Sequence, residues 1–253
     1  MKKLAISVQK GGVGKTASTH ALGDALSQMG LKVLIVDMDP QSSLTASCSV
    51  SAEHESMAEV LEGKVNIQDV LYKINDNLIL APADIALATT ELNMYMQMGR
   101  ENLLNDVLTP LDPYFDICLI DCPPSLGLLT INALRASNSV LVPTQPQVSD
   151  LRGLRLFLQT LDRVKKRLNP DLDMLGVLVT FFDGRLVHHK DALQTLQSGD
   201  LPVIDVFIGR SVRVAEAAAS GESIVNYDPN NKQAKNYIKL AEIIKQWLNN
   251  AQK

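Results

Sequence analysis

The chain has 253 residues, 46% of them hydrophobic, and a formal net charge of −4. That length buries a full core, so a single domain over residues 1–253 is expected, and the charge excludes a surface coated in positive potential while allowing a local basic patch. No apolar run reaches bilayer length, no signal-peptide pattern opens the chain, and Cys48, Cys118 and Cys122 form neither a disulfide framework nor a metal set, as buried thiols in a reducing compartment would not.

The first apolar run, Leu4 to Val8, leads into Gln9-Lys10-Gly11-Gly12-Val13-Gly14-Lys15-Thr16 and then into a helical pattern from Ala17 to Met29. A strand, a glycine-rich turn and a helix N-terminus in that order form a phosphate cradle. Backbone N–H groups of the turn point inward, and the helix dipole adds partial positive charge. Nucleotide contacts are therefore expected from Lys10, Gly11, Gly12, Val13, Gly14, Lys15, Thr16 and Ala17, with Lys15 at the terminal phosphates of ATP and the Thr16 hydroxyl on Mg²⁺. A second strand, Val33 to Val36, runs into Asp37-Met38-Asp39-Pro40. Ligands of open α/β sheets sit at the carboxyl ends of strands, which puts both carboxylates beside the phosphates.

Met57 to Gly63 reads as helix, with His54 before it as a solvated histidine, and Leu78 to Leu80 reads as strand. A long helical segment is predicted over Ile85 to Leu108, where Met94, Met96 and Met98 are expected to pack. Ile117 to Ile120 is a fully apolar strand that delivers Asp121 to the Mg²⁺ site, partly through water, and Pro123-Pro124 stop it. Further strands are predicted at Val140 to Val142, Leu175 to Val179 and Val203 to Phe207. Strands alternating with helices indicate an α/β fold with a mostly parallel central sheet covered by helices on both faces. Between them a helix carries Arg155, Arg163, Lys165, Lys166 and Arg167, for which a merely solvated face is one reading. His188 and His189 have no partners at ligand spacing, so no metal role is expected of them. From Gln233 to Asn249 an apolar stripe of Ala234, Tyr237, Ile238, Ala241, Ile244 and Leu248 suits docking on the sheet better than binding a membrane.

Lys10-Gly11-Gly12-Val13-Gly14-Lys15-Thr16 is the deviant form of the P-loop (Walker A) motif, with lysine at its start, and Asp121-Cys122-Pro123-Pro124-Ser125 matches a switch II pattern. On these motifs the chain resembles the ParA/MinD group of P-loop NTPases, and within it the short ParA-type partition ATPases. The resemblance implies that Asp39 positions the attacking water and joins Thr16 and Asp121 around Mg²⁺, with Asp37 organising that shell. It implies that Lys10, with Lys15 and Asp39, is catalytic. Lys10 would reach the phosphates of a partner subunit in an ATP-sandwiched homodimer, where Gly12 allows close approach. Arg185 and Arg213 match family arginines that bind double-stranded DNA without reading sequence. Three departures stand out. Val148, Ser149 and Arg152 replace an aromatic and acidic segment, Gly209 stands where proline is common, and Ala219-Ser220-Gly221-Glu222 lacks a usual lysine.

The resemblance thus implies a cytoplasmic, nucleoid-associated, Mg²⁺-dependent and dimer-activated ATPase. It would position or segregate a plasmid, chromosome or other large cargo, with a ParB-like or other adaptor stimulating hydrolysis. Without an N-terminal DNA-reading extension, an autorepressor role is not expected. Two alternatives stay open: a MinD-like membrane-associated positioning ATPase, and a metabolic P-loop enzyme of the nitrogenase-iron-protein or dethiobiotin-synthetase kind.

Overall fold

Val33-Leu34-Ile35-Val36 and Ile117-Cys118-Leu119-Ile120 contain no charged side chain, and all eight are fully buried. Such runs are stable only where both faces of a strand are covered. The computed structural model, which describes residues 1–51, 55–199 and 201–250, places them at the centre of an eight-stranded sheet. His54 and the last three residues lie outside the described residues.

In chain order the elements begin with β1 (Lys2–Ile6), α1 (Lys15–Gln28), β2 (Val33–Asp37), α2 (Ser43–Ser47), α3 (Met57–Leu61) and α4 (Ile67–Val70). There follow β3 (Tyr72–Lys73), β4 (Leu78–Ala81), α5 (Ala86–Met94), α6 (Leu103–Leu108), a 3₁₀ turn over Thr109–Leu111, β5 (Ile117–Asp121) and α7 (Leu128–Ala136). The chain continues through β6 (Ser139–Thr144), α8 (Val148–Arg167), β7 (Asp173–Val179), α9 (Val187–Gln197) and β8 (Val203–Phe207), and finishes with α10 (Val212–Ala219), α11 (Ile224–Tyr227) and α12 (Lys232–Asn250). The strand order is β3-β4-β2-β5-β1-β6-β7-β8, parallel throughout except for β3 against β4.

Strand side chains alternate between two cores, as the two-residue repeat of a strand requires. Ala5, Leu34, Val36, Cys118 and Ile120 face α3 and α5 to α9, packing with Met57, Leu87, Leu129 and Phe157. Leu4, Ile6, Val33, Ile35 and Leu119 face α1, α11 and α12, packing with Leu22, Leu26, Tyr237 and Ile244. Each buried valine, leucine, isoleucine, methionine or phenylalanine among them contributes about 1.5–3 kcal/mol. The stripe of α12 is consumed here: Ala234, Tyr237, Ala241, Ile244 and Leu248 are all buried. The Tyr237 hydroxyl lies 3.1 Å from Ser18 Oγ of α1.

The structure differs from the sequence expectations at four places. The helix expected over Ile85 to Leu108 is two helices, with a turn at Gly99 (φ +67°) between them. Met94 is fully buried, but Met96 and Met98 lie past the end of α5 and are 90% and 99% exposed, so they do not pack. β3 has no counterpart among the expected strands: it is two residues long, both exposed, and pairs antiparallel at the sheet edge. β1 also ends at Ile6 instead of Val8, because Ser7 and Val8 already belong to the loop that follows.

Candidate active site

The sheet places three strand ends side by side. In register, Asp121 at the end of β5 stands between Ile6 of β1 and Asp37 of β2. The chain leaves β1 for β2 on one side, while β6 pairs with β1 on the other, so this edge is the switch point at which α/β sheets bind ligands. The loop after β1 rises here. Gly14 takes the N-cap position of α1 in the left-handed region, φ +85°, and no side chain caps that helix. Its first N–H groups are therefore presented to the loop's interior, the arrangement that binds anions.

Lys15 is buried, and its ammonium donates to the Lys10 carbonyl at 3.0 Å. Burial lowers its pKa, opposed chiefly by the nearby Asp121 carboxylate and more weakly by Asp39. The Thr16 hydroxyl donates to Asp121 Oδ2 at 2.7 Å, and Thr19 donates to Oδ1 at 3.3 Å. Burial first, then the neighbouring Asp37 carboxylate, push Asp121 up to about 8, against the Thr16 bond and Lys15. Asp37 is pushed up to about 6 by burial, although it accepts from Thr45 N and Oγ1 (2.9 and 2.8 Å) and from Asp39 N (3.1 Å). Its oxygens thus hold the turn that carries Asp39 and the start of α2. Asp39 itself is half-buried and accepts from Gln41 N at 3.0 Å.

Three carboxylates and a hydroxyl facing one lysine form a donor set deficient in positive charge, which a hard divalent cation suits. Among the described residues no three His, Cys, Asp or Glu side chains form a metal cage by themselves. Mg²⁺ needs none, because it keeps waters and borrows phosphate oxygens. Thr16 and Asp121, with Asp39 nearby, fit that ion.

Lys10 does not point freely outward. Its ammonium forms an ion pair with Asp150 of α8, whose side chain is 1% exposed, while Lys10 remains 35% exposed. Sequence reasoning missed Asp150, and the two residues are 140 positions apart. It also missed two braces of the loop: Gln145 Nε2 donates to the Gly12 carbonyl at 2.8 Å, and Thr180 Oγ1 donates to the Val13 carbonyl at 2.9 Å. Both follow strand ends, β6 and β7, and that position is the signal that could have found them. Gly11 and Gly12 are exposed; Gly12, at φ +71°, has open space where a side chain would start. Pro124 flanks Gly11, and Glu91 of α5 accepts from Leu129 N at 3.2 Å, tying α5 to the segment after Pro124.

Beside the loop opens a cleft of about 1050 Å³, lined by Phe181, Phe182, Arg185, Asp205, Arg210 and Lys239 among others. Phe181 holds φ +52° and lies against Gly14, with the Arg210 guanidinium 5.4 Å from its ring centre. The arginines expected at DNA are not grouped with the loop. Arg185 grips Asp183 with two bonds, of 3.0 and 2.7 Å, which hold the Asp183 carboxyl well below the usual range. Arg213 on α10 pairs with Glu216 (2.7 Å) and Asp228 (3.3 Å) and stacks on Tyr227. His189 accepts from Asp183 N at 3.0 Å, a structural use. The Gly209 N–H donates to Gln233 Oε1 at 2.6 Å, a bond that proline there would lose.

Residues 1–174 match the family model described as an AAA domain. The chain is 38% identical to the sporulation initiation inhibitor protein Soj of Bacillus subtilis, over 95% of this chain and 97% of Soj. Among solved structures it is similar to cobyrinic acid a,c-diamide synthase from Mycobacterium smegmatis with a bound ATP analogue and magnesium. There the TM-score is 0.86 and the identity 37%, covering 98% of this chain and 96% of the other. It is also similar to the cell division ATPase MinD of Pyrococcus furiosus, with a TM-score of 0.82 and 27% identity over 97% and 99% of the two chains.

Proposed function

The chain belongs to the ParA/MinD group of P-loop ATPases, on its ParA/Soj branch, and we propose that residues 1–253 act as one Mg²⁺-dependent, dimer-activated ATPase domain that positions a DNA or other large cargo. The observation that carries this reading is the convergence of Lys15, Thr16, Asp121 and Asp39 at one strand-end edge, on a loop already anchored by Gln145 and Thr180.

ATP enters with its phosphates against the N–H groups from Gly11 to Ala17 and its nucleoside end in the cleft beside Phe181. Lys15 leaves the Lys10 carbonyl for the terminal phosphates. Thr16 and Asp121 would hold Mg²⁺, which would neutralise charge on the phosphate oxygens. Asp39 orients the attacking water, and Asp37 keeps the Asp39 turn in place. The open surface at Gly11 and Gly12 lets a second subunit approach, and each Lys10 then exchanges Asp150 for the partner's phosphates. A cation supplied there stabilises charge on the transferring group. The dimer binds double-stranded DNA without sequence preference, with Arg185 and Arg213 among its contacts, and a ParB-like or other adaptor stimulates hydrolysis. Such a protein works in the cytoplasm on the nucleoid.

ATP turnover measured beside light scattering tests the reading. Turnover that requires Mg²⁺, with a doubling of mass in ATP but not ADP, supports it. Turnover by a strict monomer removes the dimer-activated scheme. The membrane alternative has less support, because the apolar stripe of α12 is spent on the core and no helix among the described residues is long and apolar enough to cross a membrane. A bridging metal cluster finds no exposed thiolate in Cys118 and Cys122, both buried, with thiols pushed up to about 12 by burial. An ATPase that neither dimerises nor binds DNA would favour a metabolic role of the kind named for the M. smegmatis protein.

A further inference from the structure

Helix α8 sorts its side chains by charge around its axis. Leu154, Phe157, Leu161 and Val164 are buried, and at 3.6 residues per turn they share an arc of about 80°. Opposite them Arg152, Arg155, Arg163, Lys166 and Arg167 are all exposed and share an arc of about 120°. Among the described residues only Lys166 of these five has an acidic partner, Asp162 at 2.8 Å. Lys165 points elsewhere and pairs with Asp173. A chain of net charge −4 therefore carries a row of four unneutralised guanidiniums on one helix face. Arg185 and Arg213, by contrast, are already held by carboxylates that would repel a phosphate.

We propose that the arginine face of α8 holds the phosphate backbone of duplex DNA; this rests on the DNA-binding reading above and relocates its main contact. From Arg152 to Arg167 the face is about 22 Å long, a span over which a duplex carries about 13 phosphate charges. Guanidiniums match phosphate oxygens in pairs, bind by releasing counterions and read no bases. A bilayer is a poorer partner, since Leu156 is the only large apolar side chain exposed on the described part of α8 and a surface-lying helix needs a free apolar face. Asp150, in the first turn of the same helix, holds Lys10. A change in Lys10 pairing during the ATP cycle therefore acts on the element that carries the face.

The test is fluorescence anisotropy of a random-sequence duplex with the full chain and ATP, across a salt series. It compares wild type with Arg163→Gln, the Arg155→Gln/Arg163→Gln pair, and Lys165→Gln as an off-face change of equal charge. Each glutamine on the face should weaken binding and lower the salt slope by about 1, while Lys165→Gln should match wild type. DNA-free ATP turnover unchanged in every variant would show that they are folded. Equal slopes for wild type and the double variant would overturn the assignment and leave the DNA-binding reading standing. A wild type that binds no duplex would remove both. Binding to phosphatidylglycerol vesicles instead, lost in the double variant, would reassign the face to a membrane surface.

Discussion

At the scale of single residues, the proposed active site holds its charges in a resting arrangement. Lys15 is turned back on the Lys10 carbonyl, Thr16 on Asp121, and Lys10 on Asp150, so each group that would meet ATP has a provisional partner inside the chain. Lys15→Ala removes the cation that replaces those contacts with phosphate. Turnover should fall by more than about 100-fold, the scale of losing one charge-stabilising donor, and isothermal titration with a non-hydrolysable analogue should show weakened binding. Asp39→Ala leaves the loop intact but removes the carboxylate proposed to orient the attacking water. ATP should still bind and the dimer should persist for many times the wild-type lifetime, as read by size-exclusion chromatography after ATP is added. Lys10→Ala should keep ATP affinity and lose hydrolysis, whereas Asp150→Asn should free Lys10 and hasten ATP-driven dimerisation in stopped-flow scattering. A Lys10→Ala protein that hydrolyses at the normal rate would show that this lysine does not act across the interface.

At the scale of elements, local signals were legible and distant pairings were not. The apolar runs of β2 and β5 and the glycine-rich loop between β1 and α1 announce themselves because their physics lies within ten residues of chain. The carboxylates at the ends of β2 and β5 follow from the rule that parallel sheets bind at their carboxyl edge. The Lys10–Asp150 pair joins residues 140 positions apart, and no local pattern marks it. β3 leaves no signal because two exposed residues make too short a period to read, and the split between α5 and α6 leaves none because one turn at Gly99 interrupts an otherwise continuous helical pattern. The contact of α5 with α7 is of the same hidden kind. Glu91 places a carboxylate at the N-terminal turn of α7, where it satisfies an N–H and meets the positive end of the helix dipole. Glu91→Ala should cost about 1 kcal/mol in urea unfolding, the usual worth of such a cap.

At the scale of the whole molecule, the sheet separates the two proposed tasks. Its carboxyl edge gathers Lys15, Thr16, Asp39 and Asp121, the groups proposed for ATP, while the charge on α8 lies on a helix packed over one face, with Asp150 linking the two through Lys10. A protein of net negative charge that binds DNA must do so through such a local patch, and that binding must weaken steeply with salt. The most direct test of the account is the affinity of the wild-type chain for arbitrary double-stranded DNA in ATP, in ADP and without nucleotide, across a salt series, with mass determined by light scattering in each state. The account predicts tight, salt-sensitive binding by a dimer in ATP alone. A dimer that forms in ATP yet ignores DNA at low salt would contradict it.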